Sequence, residues 1–309
     1  MPSVNQYWPI YRRLEQSVDN LTHSIHVCDD QLDVYSSEIA DLIIRIGAEI
    51  EAISKSIYRR DFDEHVAANS KFDDVAIKRF VRDWKLDKKV AILSHPNCFC
   101  SEKLYLPFVK DTIRTGKQTK TFSWNNAYQN LKHNREEAFH FASLRHLLAG
   151  MAALYILNLY HRDEVIDLED DHSAVRLDPG QGSELFSVQF STAAYWDGSH
   201  VRQPKEDFSQ SVYFIDQEPE YAEQMREALD KFNEAYQKEI MTSPEVLEAM
   251  RLFTPEKAKN PNWLRESISN KTYMACAQRA QRIAPMPKLT AKYQAYINRH
   301  QVLDTPSPG

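Results

Sequence analysis

Ile39, Leu42, Ile43, Ile46, Ile50, Ile53 and Ile57 recur at steps of three or four residues, the spacing that lines side chains along one face of an α-helix. The opposite face carries Asp41, Arg45, Glu51 and Lys55. The pattern predicts an amphipathic helix of about six turns, opened by Asp33 or Ser36 as its N-cap. A second constraint is the apolar run from Leu147 to Leu159 (LLAGMAALYILNL). It is too short to cross a bilayer, which takes about 20 residues, and it is apolar nearly all round, so it reads as a central, buried helix. Glycine is scarce, with seven in 309 residues. Sheet-rich folds and phosphate-cradling loops consume glycine for tight turns, so the scarcity favours helices joined by modest loops.

The other elements follow from the same periodicities. A first helix is expected over Tyr7 to His26, with Pro9 in its opening turn, and another over Asp73 to Leu86 with Val75, Phe80, Val81 and Trp84 inward. From Lys89 to Thr121 the pattern weakens into short strands or irregular connection. Ser123 offers a cap for a helix through Tyr128 and Leu131. A further helix, separate or continuous with it, is expected from about Glu136 to Tyr160. SELFSVQF and SVYFID alternate and carry β-branched and aromatic residues, with Gly198 between them, which predicts a small β-hairpin. Helices are expected again over Pro219 to Ile240, Pro244 to Phe253, Trp263 to Arg282 and Leu289 to Arg299. The fold class is mainly α: a helical bundle with a small inserted β-hairpin and additional C-terminal helices. In chain order this gives a helical domain at 1–161, an acidic segment and hairpin at 162–216, and a C-terminal helical region with a basic tail at 217–309.

Charge is unevenly placed. Lys257 to Arg299 holds nine Lys or Arg residues and one acid, Glu266, whereas Asp163 to Asp171 holds six acids. The basic tail suits an anionic partner such as RNA, or packs on the chain's own acidic segment. The opening stretch, MPSVNQYWPIYRR, lacks the basic-then-apolar order of a signal peptide. Cys28, Cys98, Cys100 and Cys276 give no disulfide framework. A cytoplasmic protein with free thiols and no membrane association is the expectation.

Several chemistries have no motif here. There is no Gly-x4-Gly-Lys-Ser/Thr loop, no dinucleotide glycine fingerprint, no His-Glu-x2-His, no paired CxxC and no Gly-x-Ser-x-Gly elbow. The acidic run lacks the glycine and terminal glutamate of a calcium loop. His161 and His172 flank that run, and His23 and His26 lie three apart, but a solvated loop and an ordinary helix surface account for them. No metal and no cofactor are expected.

The stretch Asn130 to His140 (NLKHNREEAFH) is the most suggestive chemically. On a helix, His133, Glu136 and His140 would line one side, with Lys132 and Arg135 on a neighbouring one. Two imidazoles and a guanidinium suit metal-free cleavage of a ribose phosphodiester. One imidazole takes the 2′-hydroxyl proton, an acid protonates the leaving 5′-oxygen, and the arginine holds the charge developing on phosphorus. The plainer alternative is a polar helix junction, with Arg135 paired to an acid. Trp124, Tyr128, Phe139 and Phe141 could stack on bases or simply pack in the core.

The segment WNNAYQNLKHNREEAFHFASLRHLLAGMAALYIL resembles the motif-bearing half of a HEPN (higher eukaryotes and prokaryotes nucleotide-binding) domain. YSSEIADLIIRIGAEIEAISKSIY resembles its partner helix, the likeness covering roughly Tyr7 to His161. The resemblance implies a metal-independent endoribonuclease of a bacterial stress, toxin–antitoxin or phage-defence system. Two copies would form one composite Arg-x4-6-His site, with RNA as partner and an antitoxin or defence protein as a further one. Arg135 and His140 match that spacing, with His133 beside them and Lys132, Asn130 and Arg145 as RNA-binding residues. Glu136 departs from the polar residue that commonly follows the family's arginine. An alternative register sets His133 at the family's histidine and leaves Tyr128 in the arginine position. That version is a non-catalytic HEPN-like protein that binds a partner protein or nucleotide.

Overall fold

A computed structural model describes residues 5–64, 71–115, 117–168, 177–192, 195–196, 201–202, 209–260, 262–287 and 292–299. The chain is mainly helical with small sheets, and its described residues divide into two bodies.

The first body is built on α2 (Ser37–Phe62) and α5 (Leu144–Arg162), preceded by α1 (Tyr7–Thr22). Ser36 caps α2, its hydroxyl accepting from Ile39 N at 3.2 Å, which satisfies one of the helix's four free amides. All seven residues of the Ile39–Ile57 stripe are buried, each worth about 1.5–3 kcal/mol relative to exposure. They pack mainly against α5, where Leu147 to Tyr160 is buried apart from the half-buried Ala149. The two helices run parallel. At one end Ser36 N donates to Ala142 O, and at the other Arg60 donates to the carbonyls of Tyr160 and His161.

α1 runs against α5, since Tyr7 meets His161 and, one turn on, Tyr11 meets Tyr155. α4 (Ser123–His133) runs against α2, with Tyr128 over Gly47 and Arg135 beyond its end beside Asp41. The α2 to α4 connection contains a π-helical turn (Asp73–Ile77) continued by α3 (Lys78–Trp84), then β1 (Ala91–Leu93), β2 (Leu104–Tyr105), β3 (Lys110–Thr115) and β4 (Lys117–Phe122). After α5 come β5 (Ile166–Leu168), β6 (Phe186–Val188), β7 (Phe190–Thr192), β8 (Tyr195–Trp196), β9 (Val201–Arg202) and β10 (Tyr213–Gln217). β11 (Tyr293–Ile297) returns late in the chain to lie between β5 and β10. At its end Arg299 binds Asp163 at 2.8 Å, so the basic tail does meet the acidic segment there.

The second body holds α6 (Pro219–Met241), α7 (Pro244–Arg251), α8 (Trp263–Glu266) and α9 (Asn270–Ile283), with α6 packed along α9. Ser243 and Ser269 cap α7 and α9.

Four expectations are corrected. The helix expected from Glu136 begins only at Leu144, because Leu144 N and Arg145 N donate to Val34 O and Leu32 O and tie the start of α5 to the chain before α2. The stretches read as hairpin partners run parallel, with Tyr213 opposite Phe190. A parallel pair needs a crossover, not a tight turn. The antiparallel pair flanking WDGSH is the short β8–β9, and Gly198 lies outside the described residues. Leu289 to Arg299 contains a strand, Tyr293–Ile297, with Ala295 and Ile297 buried, because a sheet position overrides local propensity. Trp263 to Arg282 is two helices, broken where Ser269 caps the second.

No described helix is long and apolar enough to cross a membrane.

Candidate functional site

The sequence-predicted residues gather at one end of the α2–α5 pair, on and around the connector from Asn134 to Ser143. α4 ends at His133, where Asn134 leaves helical geometry at φ −146° and its side-chain amide donates to Glu137. Phe139–Phe141 form a single 3-10 turn. His133, Glu136 and His140 therefore share no helix face.

Each residue has a defined position. Asn130 turns back on its own helix, its amide nitrogen donating to Asn126 O at 2.8 Å. Lys132 lies over the Tyr128 ring, Nζ 3.3 Å from the phenol oxygen. His133, last residue of α4, is exposed. The Arg135 guanidinium binds Asp41 Oδ1 at 2.8 Å. His140 is exposed, its ring 4.3 Å from that of Phe141. Arg145 binds Asp33 at 2.9 Å and holds that carboxyl below its ordinary value. Both ion pairs are open to water, with side chains 44% and 67% exposed for Arg135–Asp41 and 51% and 80% for Arg145–Asp33. Pairs so exposed contribute about 0–1 kcal/mol.

Trp124 and Tyr128 are buried core residues and Phe139 and Phe141 half-buried. Beneath the connector sits His146, which sequence reasoning passed over. Its Nδ1 is 2.9 Å from Ser123 Oγ. Burial first, then the charge of Arg145, pushes its pKa down to about 4, so it is neutral at neutral pH.

A second polar cluster was also missed. Glu15 is buried and accepts from Tyr11 Oη (3.0 Å), Ser183 Oγ (2.5 Å), Glu184 N (3.1 Å) and Leu185 N (2.9 Å), with Arg12 beside it. The signal was present in the sequence: a carboxylate within the apolar stripe of Tyr11, Leu14 and Val18 requires buried donors. Glu15 lines a cleft of about 390 Å³ with Arg13, Asp19 and His95. His95 Nδ1 accepts from Asn97 N at 3.2 Å, which leaves Nε2 to donate to Asp19 Oδ1 at 3.0 Å. With both nitrogens engaged, that histidine fastens its loop to α1.

Among the described residues no three His, Cys, Asp or Glu side chains are grouped to hold a metal ion. His23 instead stands 3.8 Å from Asp19, and His161 Nε2 lies 3.4 Å from Ser56 Oγ. His172 is outside the described residues. No family model, no curated protein and no solved structure matches this chain.

Proposed function

We propose that this chain is a HEPN-like helical protein that binds RNA across the α4–α5 connector and cleaves it without a metal, two copies meeting at one composite site. The observation that carries the reading is the placement of His133 and His140. Both are exposed on the connector or its edge, neither has a hydrogen-bond partner among the described residues, and Arg135 lies between them in sequence. Free imidazoles can exchange protons with a bound ribose phosphate. One removes the 2′-hydroxyl proton as that oxygen attacks phosphorus; the other protonates the departing 5′-oxygen, leaving a 2′,3′-cyclic phosphate and a 5′-hydroxyl. Arg135 releases Asp41 to hold the charge on phosphorus, an exchange made cheap by the solvent exposure of that pair. Lys132 and Arg145 add phosphate contacts at the flanks. Such an activity fits a bacterial stress or phage-defence role.

A second reading rests on the same two ion pairs. Asp41 and Asp33 neutralise Arg135 and Arg145, which suits a surface that docks a partner protein or nucleotide without chemistry. Incubating the full chain with mixed cellular RNA in EDTA, beside Arg135→Ala/His140→Ala, separates them. The nuclease reading requires EDTA-resistant cleavage that the double variant loses. Intact RNA with the wild-type chain at every concentration rejects it and leaves the docking reading.

A further inference from the structure

The second body buries little of its apolar surface. Among its described residues the buried apolar side chains are Ala235, Val246, Ala249, Ile268, Cys276 and Ala280, mostly small, while Leu252, Met274 and Ile283 are each about 60% exposed. A groove of about 710 Å³ runs between α6 and the chain from Ile283 to Pro287. On α6 it is lined at steps of three and four residues, with Ala228 and Ala235 along its floor. That spacing places these residues on one face of α6. Two alanines seven residues apart leave room for a backbone to approach closely.

The charges beside that floor identify the occupant. Along the groove they run Glu227, Lys231, Glu234, Lys238, an order that is its own complement when reversed. An antiparallel second α6 sets Glu227 opposite Lys238 of the partner subunit and Lys231 opposite Glu234 of the partner subunit. One two-fold axis generates all four pairs, as an isologous interface requires. A parallel copy in register would set like charges together. Within one chain the only pair formed along this row among the described residues is Lys231–Glu227, at 3.7 Å and well exposed, which costs little to exchange. We infer that this groove is a homodimer interface in which α6 packs antiparallel on α6 of a second copy. The contact is separate from the association proposed at the connector, which charge reversal on α6 leaves in place, so α6 accounts only for the step of assembly that the charge variants lose.

Light scattering on the full chain after size exclusion tests this, with circular dichroism confirming that each variant keeps its helices. Glu227→Lys/Glu234→Lys makes the row wholly basic, and Lys231→Glu/Lys238→Glu makes it wholly acidic. Wild type is expected to assemble through α6, and each variant alone to make that step of assembly about a hundredfold more weakly, since juxtaposed like charges cost several kcal/mol. An equal mixture of the two variants is expected to recover that step, because basic row then meets acidic row. A wild type that stays monomeric at the highest concentration reached overturns the inference. So do variants that assemble as far as wild type, or a mixture that assembles no further than its components.

Discussion

Replacing Gly47 by alanine perturbs the contact on which α4 is seated and from which Lys132 projects. A Cβ at position 47 would lie 2.3 Å from Tyr128 Cδ2 and 2.4 Å from Cγ, so the ring would have to retreat by about 1 Å to reach ordinary van der Waals distance. Tyr128 is only 4% exposed and Lys132 lies over its ring, so the ring has little room. Overpacking of this kind costs about 1–3 kcal/mol or more, against a gain of about 1 kcal/mol from replacing glycine in a helix interior. Clash wins, and a net loss of stability is expected, lowering Tm by roughly 2–4 °C per kcal/mol. The cause can be isolated with a double-mutant cycle in urea. Tyr128→Ala alone should cost about 3–5 kcal/mol, as other aromatic truncations do. In that background Gly47→Ala should be neutral or stabilising by up to about 1 kcal/mol, so the coupling should reach about 2 kcal/mol or more. A Gly47→Ala protein as stable as wild type would refute the reasoning, because the close approach of α2 and α4 would then be absent.

Two further outcomes follow from buried polar groups. His146 has a folded pKa of about 4, below its ordinary 6.5, so on acidification the unfolded chain takes the proton first. Its contribution is complete above about pH 6.5 and is lost as pH falls toward about 4. His146→Phe should flatten that part of the urea-midpoint profile, and an unchanged slope would place the imidazole in water. Glu15→Ala strands the amides of Glu184 and Leu185 and leaves the Tyr11 and Ser183 hydroxyls only each other, and should cost about 2–5 kcal/mol in thermal or urea melts. A loss below about 1 kcal/mol would mean that water already serves those donors.

Local pattern accounts for the elements whose sequence and surroundings agree. The Ile39–Ile57 stripe became the buried face of α2, and the run Leu147–Leu159 became the centre of α5, because periodicity and hydrophobicity are properties of the segment itself. The polar residues from Lys132 to His140 were legible as a cluster at the entrance to the central apolar helix for the same reason. Their arrangement was not. Asn134 to Ser143 could have continued a helix, and the break there depends on Val34 and Leu32 accepting from the start of α5 across more than a hundred residues of chain. Alternation marked SELFSVQF and SVYFID as strands, but nothing local says whether two strands pair with each other or in which direction. Tyr293–Ile297 became a strand only because β5 and β10 flank it. Glu15 and His95 are polar residues whose partners come from distant segments, so their roles appear only once α1 and the 183–185 loop are packed together. Sequence determined which residues repeat on a face and which are charged; tertiary structure decided which ends meet, because long-range backbone pairing and buried hydrogen bonds draw on groups that no single segment contains.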